Sequence, residues 1–103
     1  MSVMLHVTGR IETGRWIEFL EAAERWRESR RARGWALPRV FGALAGEMNT
    51  AMLVFEYPDA ATFEREDAAE SGDPQYAAVA SAMPFAGPIE YRLYREALPA
   101  VEA

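Results

Sequence analysis

Apolar and polar residues alternate from Val3 to Ile11, with Val3, Leu5 and Val7 on one side and Met4, His6, Thr8 and Arg10 on the other. A period of two predicts a strand with unlike faces. Glu12-Thr13-Gly14 interrupts the alternation, and Thr13 is placed to cap a following helix. From Arg15 the period lengthens, and Trp16, Phe19, Leu20, Ala23 and Trp26 form one apolar stripe at helical spacing. Arg27, Arg30, Arg31 and Arg33 gather at the end of this helix, where its dipole favours cations. Interleaved glutamates make that cluster a solvated, dipole-compensating surface in preference to a phosphate site. Gly34 suits the left-handed residue that closes a helix, and Trp35 can fold back on the last turn.

Arg39–Glu47 reads as a second, weaker strand, with Gly42 and Gly46 marking a bulge or a close approach of another group. Met52–Tyr57 is a third, apolar except for Glu56, and the two make a β-hairpin. Pro58 ends the pairing and Asp59 caps a second helix carrying Phe63, Glu64, Glu66, Asp67 and Glu70. Ser71-Gly72 interrupts this helix; Asp73-Pro74 restarts it as cap and first helical residue, with Tyr76, Val79, Ala80 and Met83 on its apolar side. A bounded loop, Pro84–Pro88, leads to a last strand, Ile89–Glu96.

Two successive βαβ units predict a ferredoxin-like α+β sandwich: a βαββαβ order with a four-stranded antiparallel sheet and two helices on one face. One domain spans residues 1–97, and residues 98–103 form a flexible C-terminal tail. The helix-covered face takes Val3, Leu5, Val7, Val40, Leu44, Leu53, Phe55, Tyr57, Ile89, Tyr91 and Leu93. The opposite face takes Met4, His6, Thr8, Arg10, Arg39, Phe41, Met52, Val54, Glu56, Glu90, Arg92 and Tyr94. That second face is too apolar for water and too charged for a dry core. Burial against a second copy resolves both, with Glu56 and Glu90 pairing with Arg10, Arg39 or Arg92.

Composition narrows the chemistry. Half of the 103 residues are hydrophobic and none is cysteine, which excludes disulfides, thiolate metal sites and a cysteine nucleophile. A single histidine excludes a multi-histidine zinc site within one chain. The net charge of −5 argues against general nucleic-acid binding. All basic residues are arginines, so no lysine forms a Schiff base. No apolar run reaches the roughly 20 residues of a membrane span and no signal-peptide core opens the chain. A cytoplasmic protein without membrane partners is the expectation.

The two βαβ units, the charged second sheet face, the strand–Pro58-Asp59–helix junction and the interrupted helix with Asp73-Pro74-Gln75-Tyr76 resemble the dimeric α/β-barrel superfamily. Within it they are similar to the NIPSNAP-like and antibiotic-biosynthesis-monooxygenase-like branches. The resemblance covers residues 3–96 and implies a homodimer whose sheets close into a shared barrel. It also implies a pocket between the sheet and the helices of each protomer. Members include cofactor-independent monooxygenases, haem-degrading monooxygenases, muconolactone isomerase-like enzymes and proteins without assigned activity.

Candidate chemistry follows from these readings. A cofactor-independent oxygenase or isomerase needs an apolar pocket, aromatics to orient a planar substrate and a few polar groups. Trp16, Phe19, Trp26, Phe63, Phe85 and Tyr91 are candidate pocket residues, or simply core. His6, Tyr57 and Tyr76 are the candidate catalytic residues; His6 can equally be structural. Arg10, Arg39, Glu56, Glu90 and Arg92 are the candidate dimer contacts. The competing reading is a non-catalytic, NIPSNAP-like dimerisation module. A haem-degrading relative is expected to offer a helix-borne histidine and an Asn/Trp pair. Here His6 is on a strand and Asn49 in a loop, so neither a metal nor another cofactor is expected. Titration with hemin is accordingly expected to leave the Soret band where free hemin has it; a shifted, saturable band would restore the haem reading.

Overall fold

The computed structural model describes residues 1–99. Of the tail expected at residues 98–103, positions 100–103 lie outside the described residues. The order is β1 (Val3–Arg10), α1 (Trp16–Ala32), β2 (Arg39–Gly42), β3 (Thr50–Tyr57), α2 (Ala60–Ser71), α3 (Pro74–Ala82) and β4 (Glu90–Arg95). The strands form one sheet in the order β2-β3-β1-β4, every neighbour antiparallel. This is the ferredoxin-like α+β arrangement, with the second helix divided into α2 and α3.

Register places the side chains. Leu5 stands between Phe55 and Leu93, and Val7 between Leu53 and Tyr91. Because successive residues face opposite ways, Val3, Leu5, Val7, Leu53, Phe55 and Tyr57 share the face toward the helices. With Phe19 and Ala23 of α1, and Ile11 and Ala51, they form the core. The stripe of α1 is rotated from the expected one: Phe19, Ala22, Ala23 and Arg30 are buried while Leu20 is exposed.

Local chemistry sets the helix boundaries. Thr13 does not cap α1. Glu12–Arg15 closes a turn through Arg15 N–H to the Glu12 carbonyl, so Arg15 takes the cap position without a side-chain bond. At the other end Trp35 N–H reaches the Arg30 carbonyl and Gly34 N–H the Arg31 carbonyl. This paired closure needs a left-handed residue, and Gly34 supplies it at φ 70°. Asp59 caps α2 by accepting from Thr62 N–H at 2.7 Å, and Asp73 caps α3 by accepting from Gln75 N–H at 3.1 Å. Pro74 takes the first turn of α3, where no N–H is needed.

Three expectations about the sheet are corrected. The second strand ends at Gly42, well short of Glu47, because the chain turns away through residues 43–49. Leu44, expected in the core, is therefore 98% exposed. A side chain at Gly42 would meet the Trp16 indole at 3.0 Å, so this glycine admits a close approach. Tyr91 and Leu93 do lie on the helix side, yet they are 62% and 48% exposed, because the helices leave that flank of the sheet open.

The Asp59 cap generates a pH prediction. Its carboxyl is held below the ordinary range, first by the Thr62 hydroxyl and next by the Thr62 N–H. A carboxyl depressed in the folded chain stabilises it fully above the unfolded value of about 3.9, and the effect is lost as pH falls through the folded value. Asp59→Ala is expected to lower the urea midpoint near neutral pH, and the gap to the parent protein should close at about pH 2. Urea titrations at the two pH values check this.

Candidate functional site

The last turn of α1 and the inner side of α2 meet over the sheet through charge. Arg30 is 1% exposed. Its Nη2 donates to Glu66 Oε1 at 2.5 Å and its Nη1 to Glu70 Oε2 at 2.8 Å, while Nε donates to the Ala36 carbonyl. Glu66 Oε1 also accepts from Ala36 N–H at 3.0 Å, and Glu70 Oε2 from the Trp26 indole N–H at 3.0 Å. The guanidinium lies 5.0 Å from the Phe55 ring centroid and 5.4 Å from that of Trp35. Desolvating such charges costs several kcal/mol per ion, so a network of this kind persists only when each group is bonded. Here each is.

This overturns one expectation. Arg30 does not belong to the solvated arginine surface. Arg31 does, paired with Glu28 on the exposed side, while Arg33 reaches across to Asp73 and Gln75. The missed signal is periodic. One turn beyond Trp26 the α1 stripe lands on Arg30, and the inner side of α2 reads Phe63, Glu66, Glu70 at helical spacing. A basic residue on one inward stripe and two acids on the next is a pairing pattern.

Beside this network a cleft of about 310 Å³ opens between helices and sheet. Leu5, Val7, Phe55, Tyr57, Tyr91 and Leu93 form its floor from β1, β3 and β4. Trp26 and Arg30 of α1, Phe63, Asp67 and Glu70 of α2, and Tyr76 of α3 form its walls. The rings brace one another: Trp26 sits 5.1 Å from Phe55 and 5.6 Å from Tyr76, and Tyr57 stands edge-on to Phe63 at 5.3 Å. The Tyr57 phenol is pushed up to about 12, chiefly by burial, and Glu66, Glu70 and Asp67 add to the effect against Arg30. Burial also raises Tyr76, helped by Tyr91, Glu70 and Asp67. Both phenols stay protonated at neutral pH and are hydrogen-bond donors there.

The cleft brings together Tyr57, Tyr76, Trp26, Phe63 and Tyr91 from the candidate residues. Phe85 is in an adjoining recess with Trp26, Tyr76 and Tyr91, its ring against Gly9. Trp16 packs on Gly42, and Phe19 is fully buried against Trp16 and Phe85. His6 is on the opposite face of the sheet, its Nε2 3.0 Å from Met4 Sδ and its ring edge-on to Tyr94 at 4.8 Å. That face also carries the candidate dimer residues. Arg39 approaches Glu56 at 3.6 Å, Arg92 approaches Glu90 at 3.7 Å, and Arg10 pairs with Glu47 at 3.1 Å, all exposed. Glu56 thus finds an arginine within its own chain. Among the described residues no cluster of three or more histidine, aspartate or glutamate side chains could hold a metal ion. No helix among them is long and apolar enough to cross a membrane.

Neither a protein-family model nor a curated protein sequence matches the chain. Solved structures do match in fold. An uncharacterised NIPSNAP domain protein from Burkholderia xenovorans superposes with a TM-score of 0.74 at 21% identity, covering 99% of this chain and 100% of that one. A NIPSNAP family protein from Agrobacterium tumefaciens gives 0.73 at 14% identity, covering 92% of each chain. A putative antibiotic biosynthesis monooxygenase from Nitrosomonas europaea gives 0.74 at 16% identity, covering 95% of this chain and 92% of that one. The chain therefore has the fold of NIPSNAP-like and antibiotic-biosynthesis-monooxygenase-like proteins; identities this low establish the fold alone.

The buried network makes a sharp stability prediction. Arg30→Ala leaves two buried carboxylates unpaired and is expected to cost about 3–5 kcal/mol. Replacing all three charges together, with Arg30→Met, Glu66→Leu and Glu70→Leu, should cost less than the single change. Chemical denaturation of both variants decides it; a mild effect of Arg30→Ala would contradict the network.

Proposed function

We propose that this chain is a small-molecule-binding protein that works as a homodimer, with the helix-side cleft of each protomer as its ligand site. The observation that carries this reading is the cleft itself: aromatic residues on several sides, a few polar groups, and an open flank at Tyr91 and Leu93. Pockets of this size and lining bury planar apolar molecules well. The likeness in fold to a putative antibiotic biosynthesis monooxygenase supports placing a cofactor-independent oxygenation or isomerisation in the same cleft. In that chemistry Tyr57 and Tyr76 serve as hydrogen-bond donors and not as bases, because burial keeps both phenols protonated.

The dimer would form through the sheet face that no helix covers. Its arginines have acidic partners in their own chain, so two such faces can meet without bringing unpaired charge into contact. Met4, Met52 and Phe41 supply apolar area around them. A two-fold axis makes such a surface complementary to itself. The sequence has no cysteine, which suits the cytoplasm, where we place the protein. His6 belongs to this face, and its distance from the cleft supports the second reading, a non-catalytic NIPSNAP-like interaction module that dimerises in the same way.

Two measurements test these statements. Light scattering at micromolar concentration is expected to give a dimer, and Phe41→Glu, at an exposed position of that face, a folded monomer; a parent protein that is itself a stable monomer removes the dimer. N-phenyl-1-naphthylamine, a neutral probe of three aromatic rings, is expected to brighten on binding. Tyr91→Asp, at an exposed position, should weaken it roughly two- to tenfold. No binding of the probe favours the interaction module.

A further inference from the structure

We propose that the helix-side cleft selects ligands carrying a positively charged amine on an apolar, ring-sized body. This rests on reading the cleft as a ligand site and names the chemistry that site prefers. Six aromatic side chains line it: Trp26, Phe55, Tyr57, Phe63, Tyr76 and Tyr91. The faces of such rings attract cations, more strongly where water is excluded. Ring faces alone would also accept a neutral ligand, so the charges around them decide.

Those charges are unbalanced. Asp67 and Glu70 line the cleft and Glu66 stands directly behind them on Arg30. Against three carboxyl groups there is one guanidinium, and it is buried and paired with two of them. Arg30 donates to Glu66, Glu70 and the Ala36 carbonyl, and its faces are taken by Phe55 and Trp35. These bonds hold its charge inside the protein, and at 1% exposure it offers almost no surface to an anionic ligand. Asp67, by contrast, forms no ion pair among the described residues and is exposed at the cleft wall.

Tyr57 adds a polar group to the same wall. It is only 4% exposed, it lines the cleft, and its phenolic oxygen enters none of the hydrogen bonds among the described residues. The ring is buried, but the hydroxyl is not one of the fully buried unpartnered atoms; it opens to the cleft, where its oxygen can accept from an ammonium N–H. Around Tyr57 the Arg30 charge works against those of Glu66, Glu70 and Asp67, so the preference rests on the rings and on the unpaired, exposed Asp67.

The test compares three ligands of nearly equal shape at near-neutral pH by calorimetry: 2-phenylethylammonium, 2-phenylethanol and 3-phenylpropionate. The ammonium compound is expected to bind about tenfold or more tightly than the carboxylate, with the alcohol between them. Asp67→Asn should weaken the ammonium compound about threefold or more and leave the alcohol unchanged. Asp67 is exposed, so this variant folds as the parent does. Equal or tighter binding of the carboxylate overturns the charge preference and leaves the cleft standing as a ligand site. Equal weakening of ammonium and alcohol in Asp67→Asn also overturns it. Binding of none of the three overturns the charge preference and the ligand site together.

Discussion

The structure depends on one buried cation. Arg30 sits where the end of α1, the inner side of α2 and the segment after Gly34 converge over the sheet, and it bonds to each of the last two. Without it, Glu66 and Glu70 would face the Phe55 ring as unpaired carboxylates, which an interior does not tolerate. With it, α2 needs no apolar stripe to dock. The closure after Gly34 belongs to the same arrangement, because it brings Trp35 over the guanidinium and the Ala36 carbonyl within reach of Nε.

This way of attaching α2 has a consequence for the cleft. A helix that docks through a charged network at one end need not lie flat along the whole sheet. Phe63 reaches Tyr57 and Glu70 reaches Trp26, while nothing descends onto Tyr91 and Leu93. The gap that results has aromatic walls and a polar corner. The break at Gly72 contributes, since the Asp73 cap restarts the helix and brings Tyr76 beside Trp26. Rings that brace one another hold their positions before a ligand arrives, which lowers the ordering cost of binding.

The two faces of the sheet carry different roles in the proposed function. The helix side holds the cleft and both of its tyrosines. The other side holds His6, Met4, Tyr94 and a set of ion pairs that close within the chain. The β1 register makes this separation unavoidable: His6 lies between Leu5 and Val7, so its ring points away from both. The cleft is lined by phenols, carboxyl groups, an indole and the Arg30 guanidinium; the imidazole is on the other side of the sheet.

The sequence by itself determined the order of the elements, the antiparallel ferredoxin-like sheet, the Asp59 and Asp73 caps and the left-handed Gly34. Each is a local matter of period, proline placement or a side chain within reach of its own backbone. It determined the helix-side face of β1 and β3 for the same reason, since alternation along a strand is local. What tertiary structure decided concerns partners far apart in the chain. Arg30 looked like one more cation at a helix end, and only the approach of Glu66 and Glu70 from α2 made it interior. Tyr91 and Leu93 alternate correctly, but whether a helix covers them depends on how α2 and α3 dock. Glu56 had Arg10, Arg39 and Arg92 as candidate partners, and only the folded sheet shows that Arg39 reaches it within the same chain. The stretch Met52–Asp67 shows both sides of this division. Its strand, proline stop and cap follow from the chain alone, whereas the place of its glutamates, one outward at position 56 and one inward at position 66, depends on what folds against them.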